Sequence, residues 1–196
     1  KLKAVNFSGT ADMTISGANT AKAITFNSTT TGDVTVSGAF IKASTLTTGA
    51  GKDLVTVSTN MGSTYNTGAG NDSITAAFAK LVATGSDDHV IDAGAGTDTI
   101  SISDTGAVTL IDNHFTNITN AEKLVTVGTG NLSVTTGAAV KTAFTDSLTF
   151  TSGTLADNST ITWSGGLYTN DQILTFDGSS LVFGAASEDI SITTGS

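Results

Sequence analysis

Thr48-Gly49-Ala50-Gly51-Lys52-Asp53-Leu54-Val55-Thr56-Val57, Thr67-Gly68-Ala69-Gly70-Asn71-Asp72-Ser73-Ile74-Thr75-Ala76 and Ala93-Gly94-Ala95-Gly96-Thr97-Asp98-Thr99-Ile100-Ser101-Ile102 are three spellings of one phrase. In each, two glycines one residue apart permit a tight turn with positive φ and bring backbone carbonyls close to a small ligand. The aspartate that follows supplies a hard anionic oxygen of the kind calcium prefers. The alternating run after it makes a short β-strand with one face buried. Turn, carboxylate and strand together read as a calcium-binding unit. Asp53, Asp72 and Asp98 are its candidate ligands, and Gly49, Gly51, Gly68, Gly70, Gly94 and Gly96 shape the turns.

The phrases resemble the nonapeptide repeat of RTX proteins, Gly-Gly-x-Gly-x-Asp-x-apolar-x. The second glycine, the fourth-position glycine, the aspartate and the apolar eighth position (Val55, Ile74, Ile100) all match, whereas Thr48, Thr67 and Ala93 stand where the first glycine belongs. The resemblance implies an all-β fold, a right-handed parallel β-helix or β-roll with Ca2+ held at the glycine-aspartate turns. Two nine-residue halves per coil return the chain to the same edge after about 18 residues. Asp53 and Asp72 then face one another across one coil. Between Asp72 and Asp98 the segment Gly85-Ser86-Asp87-Asp88-His89-Val90-Ile91-Asp92 reads as a degenerate unit, which adds Asp88 and Asp92 as candidate metal ligands.

Composition supports strands over helices. The chain of 196 residues has 22 glycines, no proline and no cysteine, and threonine makes up roughly a fifth of it. Threonine, valine and isoleucine favour a pleated, half-buried surface, and glycine and serine favour turns. A net charge of −9, with lysine as the only basic residue type apart from histidine, argues against nucleic acid, which requires a cationic stripe. No run approaches the ~18 apolar residues of a membrane span, so no membrane insertion is expected. The chain opens on Lys1 within a strand-like pattern and reads as an internal segment of something longer.

Residues 1–140 read as one β-helix or β-roll containing the units at 48–57, 67–76 and 93–102, and 141–196 as further β-rich coils or a small β domain. Short strands are expected at Leu2–Phe7, Met13–Ser16, Ala23–Phe26 and Val34–Ser37. Ala76–Ala83 is the best local helix candidate. In Gly128-Thr129-Gly130-Asn131-Leu132, leucine fills the aspartate slot, so that turn reads as one without a metal. Ser164-Gly165-Gly166-Leu167 reads as a hairpin turn between Trp163 and Tyr168, and Leu181–Ile190 as a worn unit with Glu188 in the carboxylate slot. His89 reads as an exposed turn residue and Trp163 as a packing residue.

No zinc spacing, nucleophile elbow or carboxylate pair stands out, so no catalytic activity is expected. The stretch Phe115-Thr116-Asn117-Ile118-Thr119-Asn120-Ala121-Glu122-Lys123-Leu124 resembles a phrase of bacterial surface-layer proteins of the RTX group. That resemblance implies a structural, calcium-dependent segment exported by type I secretion, which self-assembles with copies of itself on the bacterial cell exterior. Cell-surface polysaccharide is a further candidate partner. The alternatives are a spacer or ligand-binding region of an RTX adhesin, or the β-roll tail of a secreted hydrolase.

Overall fold

The alternation read along the chain becomes three parallel sheets joined at corners. The computed structural model describes residues 3–16, 22–37, 43–57, 62–81, 88–144, 147–153, 160–165, 173–177 and 189–194. The first sheet has six strands in chain order: Ala4–Gly9, Thr25–Thr30, Thr45–Thr47, Thr64–Asn66, Val90–Asp92 and Ile118–Thr119. The second has eight: Met13–Ile15, Val34–Val36, Leu54–Thr56, Ser73–Ala76, Thr99–Ile102, Lys123–Thr126, Ser147–Ser152 and Ile173–Asp177. The third has four, Val108–Leu110, Leu132–Thr136, Thr160–Gly165 and Asp189–Thr194, and the glycine turns at Ala69–Gly70 and Ala95–Gly96 pair as a short ladder of their own.

Every pairing among the described residues is parallel, and each strand inside a sheet pairs with the one a coil earlier and the one a coil later. The chain therefore winds as stacked coils. The coil repeat is not constant. One coil takes 21 residues from Asp12 to Asp33 and 19 from Asp53 to Asp72. It then takes 26 from Asp72 to Asp98 and 29 from Asn131 to Thr160. The coils from Val108 onward add the third sheet, and larger side chains fill their interior. Val36, Val55 and Ile74 sit in one inward column whose next members are Ile100, Leu124 and Phe150. In the wide coils Phe150 packs on the buried Trp163 at 5.0 Å between ring centroids, and Phe115 on Phe144 at 5.9 Å. Filling the added cross-section matters because interiors tolerate few voids.

Several expectations are corrected here. Asp98 lies on the coil directly after Asp72, and Val90–Asp92 form that coil's first-sheet strand, so no separate coil stands between the two aspartates. Of the helix expected over Ala76–Ala83, Ala76 belongs to a strand, Phe78–Lys80 form a single 3-10 turn, and residues 82–83 lie outside the described residues. Ser164 and Gly165 continue a strand with parallel neighbours on both sides, so no hairpin turn begins there. Gly166–Tyr168, Leu181–Glu188 and Gly85–Asp87 lie outside the described residues. The second sheet continues from Lys123–Thr126 to Ser147–Ser152 across residues 141–147.

The one α-helix among the described residues, Ala138–Ala143, is held by a side chain from the coil before it. Gly137 at its N-cap offers no side chain, and the Asp112 carboxylate accepts the N–H groups of Ala139 (3.1 Å) and Val140 (2.9 Å) instead. Asp112→Ala is expected to cost about 1 kcal/mol in urea unfolding, as for the loss of an N-cap. An unchanged midpoint would show that this cap contributes nothing.

A buried acidic corner as the candidate cation site

Each turn into the second sheet carries one residue at the same coil position, immediately before the strand pairs set by register. That column reads Val34, Asp53, Asp72, Asp98, Glu122 and Leu148. Four acidic residues on consecutive coils thus replace what is apolar on either side. Asp53, Asp72 and Asp98 are 1, 2 and 0% exposed; Glu122 is half-buried.

Backbone hydrogen bonds explain how the carboxylates are held. The Val34 N–H donates to Asp53 Oδ1 at 2.7 Å and the Asp53 N–H to Asp72 Oδ1 at 2.8 Å. The Asp72 N–H donates to Asp98 Oδ1 at 2.7 Å and the Asp98 N–H to Glu122 Oε2 at 2.6 Å. Each acid therefore reaches back one coil and satisfies an amide that the sheet does not use. A second corner solves the same problem without charge. At the entry to the first sheet the Ile24 N–H donates to Ser44 Oγ (3.3 Å), the Ser44 N–H to Ser63 Oγ (3.1 Å) and the Ser63 N–H to His89 Nδ1 (2.9 Å). His89 is buried in that ladder with its ring edge-on to Tyr65, which corrects the exposed turn histidine expected from the sequence.

The glycines let the acidic corner stack this tightly. Gly70 and Gly96 have φ of +143° and +153°, and a Cβ on either would lie 1.6 or 1.5 Å from the carbonyl oxygen of the glycine one coil earlier. Gly49, Gly51, Gly68 and Gly94 share the positive φ. The turns also bond directly to one another: the Ala69 N–H donates to the Gly49 carbonyl at 2.9 Å and the Ala95 N–H to the Gly68 carbonyl at 2.8 Å.

The second carboxylate oxygens differ along the column. The Thr48 hydroxyl donates to Asp53 Oδ2 and also reaches the Thr67 carbonyl at 2.9 Å. Thr67 lies close enough to ease Asp72, but its proton goes to the Ala93 carbonyl at 2.6 Å. Asp72 Oδ2 and Asp98 Oδ2 are both buried without a hydrogen-bond partner. Threonine at the first-glycine position thus has a structural reason, which the sequence pattern alone registered only as a departure.

Burial pushes these carboxyls up. Desolvation is the largest cause at each, backbone hydrogen bonds oppose it, and neighbouring acids add to it; Asp72 and Asp98 rise from 3.8 to about 6, and Asp53 rises as well. Strands lie about 4.8 Å apart, so adjacent ionised carboxylates repel by about 3 kcal/mol at an effective dielectric of about 20.

In donor chemistry these residues suit a hard divalent cation: anionic oxygens stand on successive coils, two of them buried and unpartnered, and threonine hydroxyls lie beside Asp53 and Asp72. Neighbouring pairs along Asp53, Asp72, Asp98 and Glu122 would each share one, and when bound it would supply the positive charge the corner lacks. Among the described residues no three acidic or histidine side chains converge on a single point. A groove of about 500 Å³ lined by Lys52, Asn71, Ser73, Thr97, Thr99 and Lys123 reaches Asp72 from the surface. Asp88 and Asp92 lie outside this column, Asp92 near enough to help push Asp98 up. Asp92 is on the first sheet, where Oδ1 accepts the Asn120 Nδ2 amide at 2.7 Å and the Gly94 N–H at 3.2 Å. Glu122 is the column member that the sequence reading missed, although Glu122-Lys123-Leu124 repeats the phase of Asp98-Thr99-Ile100.

Comparison with known proteins assigns the chain to no group: no family model matches it, no curated protein is similar to it, and no solved structure matches its fold. No helix among the described residues is long and apolar enough to cross a membrane.

Proposed function

We propose that the chain is a non-catalytic, calcium-dependent structural segment of an extracellular bacterial surface-layer protein, a right-handed β-roll whose acidic corner couples folding to the calcium outside the cell. The observation that carries this reading is the contrast between the two corners. Serine and neutral imidazole satisfy the backbone at one, so carboxylates are not needed for that purpose at the other. Four stacked acids, two with unpartnered buried oxygens, raise the energy of the folded state unless a cation neutralises them.

In low calcium the corner repels itself and the turns open. Extracellular calcium modules bind with Kd about 10⁻⁴–10⁻³ M. At millimolar calcium each such site adds only about 0.4–1.4 kcal/mol by mass action, so several sites along the column act together.

Sedimentation velocity in chelator and in millimolar calcium tests the proposal. Compaction on calcium addition, followed by growth into large species, is the expected result. Sedimentation unchanged by calcium would overturn the reading, and compaction to a stable monomer would leave calcium folding intact but remove self-assembly.

A further inference from the structure

The position five residues before each acid decides what its second oxygen meets. Register places Ser28, Thr48, Thr67 and Ala93 in one buried column at the end of the first sheet, facing the acidic corner across the turn. The column grades the acids. Asp53 receives a hydroxyl proton from Thr48. Asp72 has a hydroxyl nearby whose proton is committed to the Ala93 carbonyl. At the matching position for Asp98 register places Ala93, which has no hydroxyl, and Asp98 Oδ2 is buried with no partner. One coil on stands Glu122, whose Oε2 already accepts the Asp98 N–H and whose side chain remains partly open to solvent.

We propose that Ala93 sets the cation requirement of this chain: by withholding a hydroxyl from Asp98, it makes the Asp98–Glu122 step the tightest point of the column for a divalent, oxygen-preferring cation. The inference rests on the calcium reading above and assigns Glu122 as a ligand outside the glycine-aspartate phrases. A hydroxyl and a cation are alternative ways to satisfy the same buried oxygen. Where threonine supplies one, the other is needed less. The chain thus divides its acidic corner into a self-satisfied end at Asp53 and a cation-demanding end at Asp98.

Calcium titrations of the melting temperature test this on the wild type, Ala93→Ser and Ala93→Val. Serine adds the missing hydroxyl; valine adds bulk alone. Ala93→Ser is expected to melt several degrees higher than the wild type in chelator and to need roughly tenfold more calcium at its midpoint, because one hydrogen bond to a charged group replaces one ligand contact. Ala93→Val is expected to show neither change. Equal behaviour of the two variants would overturn the inference while leaving the calcium reading standing. A wild type indifferent to calcium would overturn the calcium reading and the inference with it. Thr48→Val guards against misfolding at position 93. It removes the Asp53 hydroxyl at constant shape, so it is expected to lower stability in chelator and to recover most of the loss in calcium. A loss that calcium does not restore would count against the inference.

Discussion

Gly96→Ala is expected to unfold the glycine turns or to cost at least ~3 kcal/mol, whereas Gly106→Ala is expected to be neutral or slightly stabilising. The pair separates stacking from composition. At Gly96 the backbone has φ of +153°, and an added Cβ would lie 1.5 Å from the Gly70 carbonyl oxygen and 2.7 Å from its carbon. Both atoms belong to the backbone of the coil below, so no side chain can swing aside. The coil would have to separate there, and with it the Asp72 N–H to Asp98 hydrogen bond two residues away. A Cβ on Gly106 would meet nothing within 4 Å. Urea unfolding of both variants checks this, and similar midpoints for the two would mean that the glycine turns do not stack as described.

A second large effect is expected from removing charge at the acidic corner. Asp72→Asn with Asp98→Asn keeps an acceptor oxygen for the Asp53 and Asp72 N–H groups and deletes two buried negative charges. In chelator near pH 8 the double variant is expected to be more stable than the wild type, on the order of 2–4 kcal/mol after allowance for solvent screening. For a chain of this size that is a rise of roughly 5–10 °C in melting temperature. Acidification should mimic the substitution. Both carboxyls titrate near 6 in the folded chain, against an ordinary 3.8. Between those values the folded state holds the extra protons. Wild-type stability in chelator therefore falls as pH rises from about 4 to about 7, with a difference of roughly 1 kcal/mol per group between pH 5 and pH 8. The double variant should lose most of that slope.

Much of the fold was legible because its signals are local. Alternation in Val34-Thr35-Val36 and Thr99-Ile100-Ser101-Ile102 marks strands, and the spacing of Asp53 and Asp72 marks one coil. The widening of the coils was not legible. Phe115, Phe144, Phe150 and Trp163 look like ordinary core residues in sequence, and only register shows that they line the coils that gain a third sheet. Glu122 was hidden for a related reason. Its turn lacks the glycines, and Asn120 takes up the left-handed backbone in their place with φ of +58°. Asp92 stands on the first sheet, where its carboxylate also serves its own turn through the Gly94 N–H. His89 was misjudged because polarity suggested solvent, whereas a neutral imidazole nitrogen satisfies the Ser63 amide inside a ladder.

Whether the acidic corner serves a cation, as proposed, is decided by the calcium dependence of thermal unfolding in the wild type and the Asp72→Asn, Asp98→Asn double variant. The expected result is a wild type that is the less stable protein in chelator and gains several degrees in millimolar calcium, beside a double variant that starts higher and gains little. A wild type already at least as stable as the double variant in chelator, with neither protein responding to calcium, would contradict it.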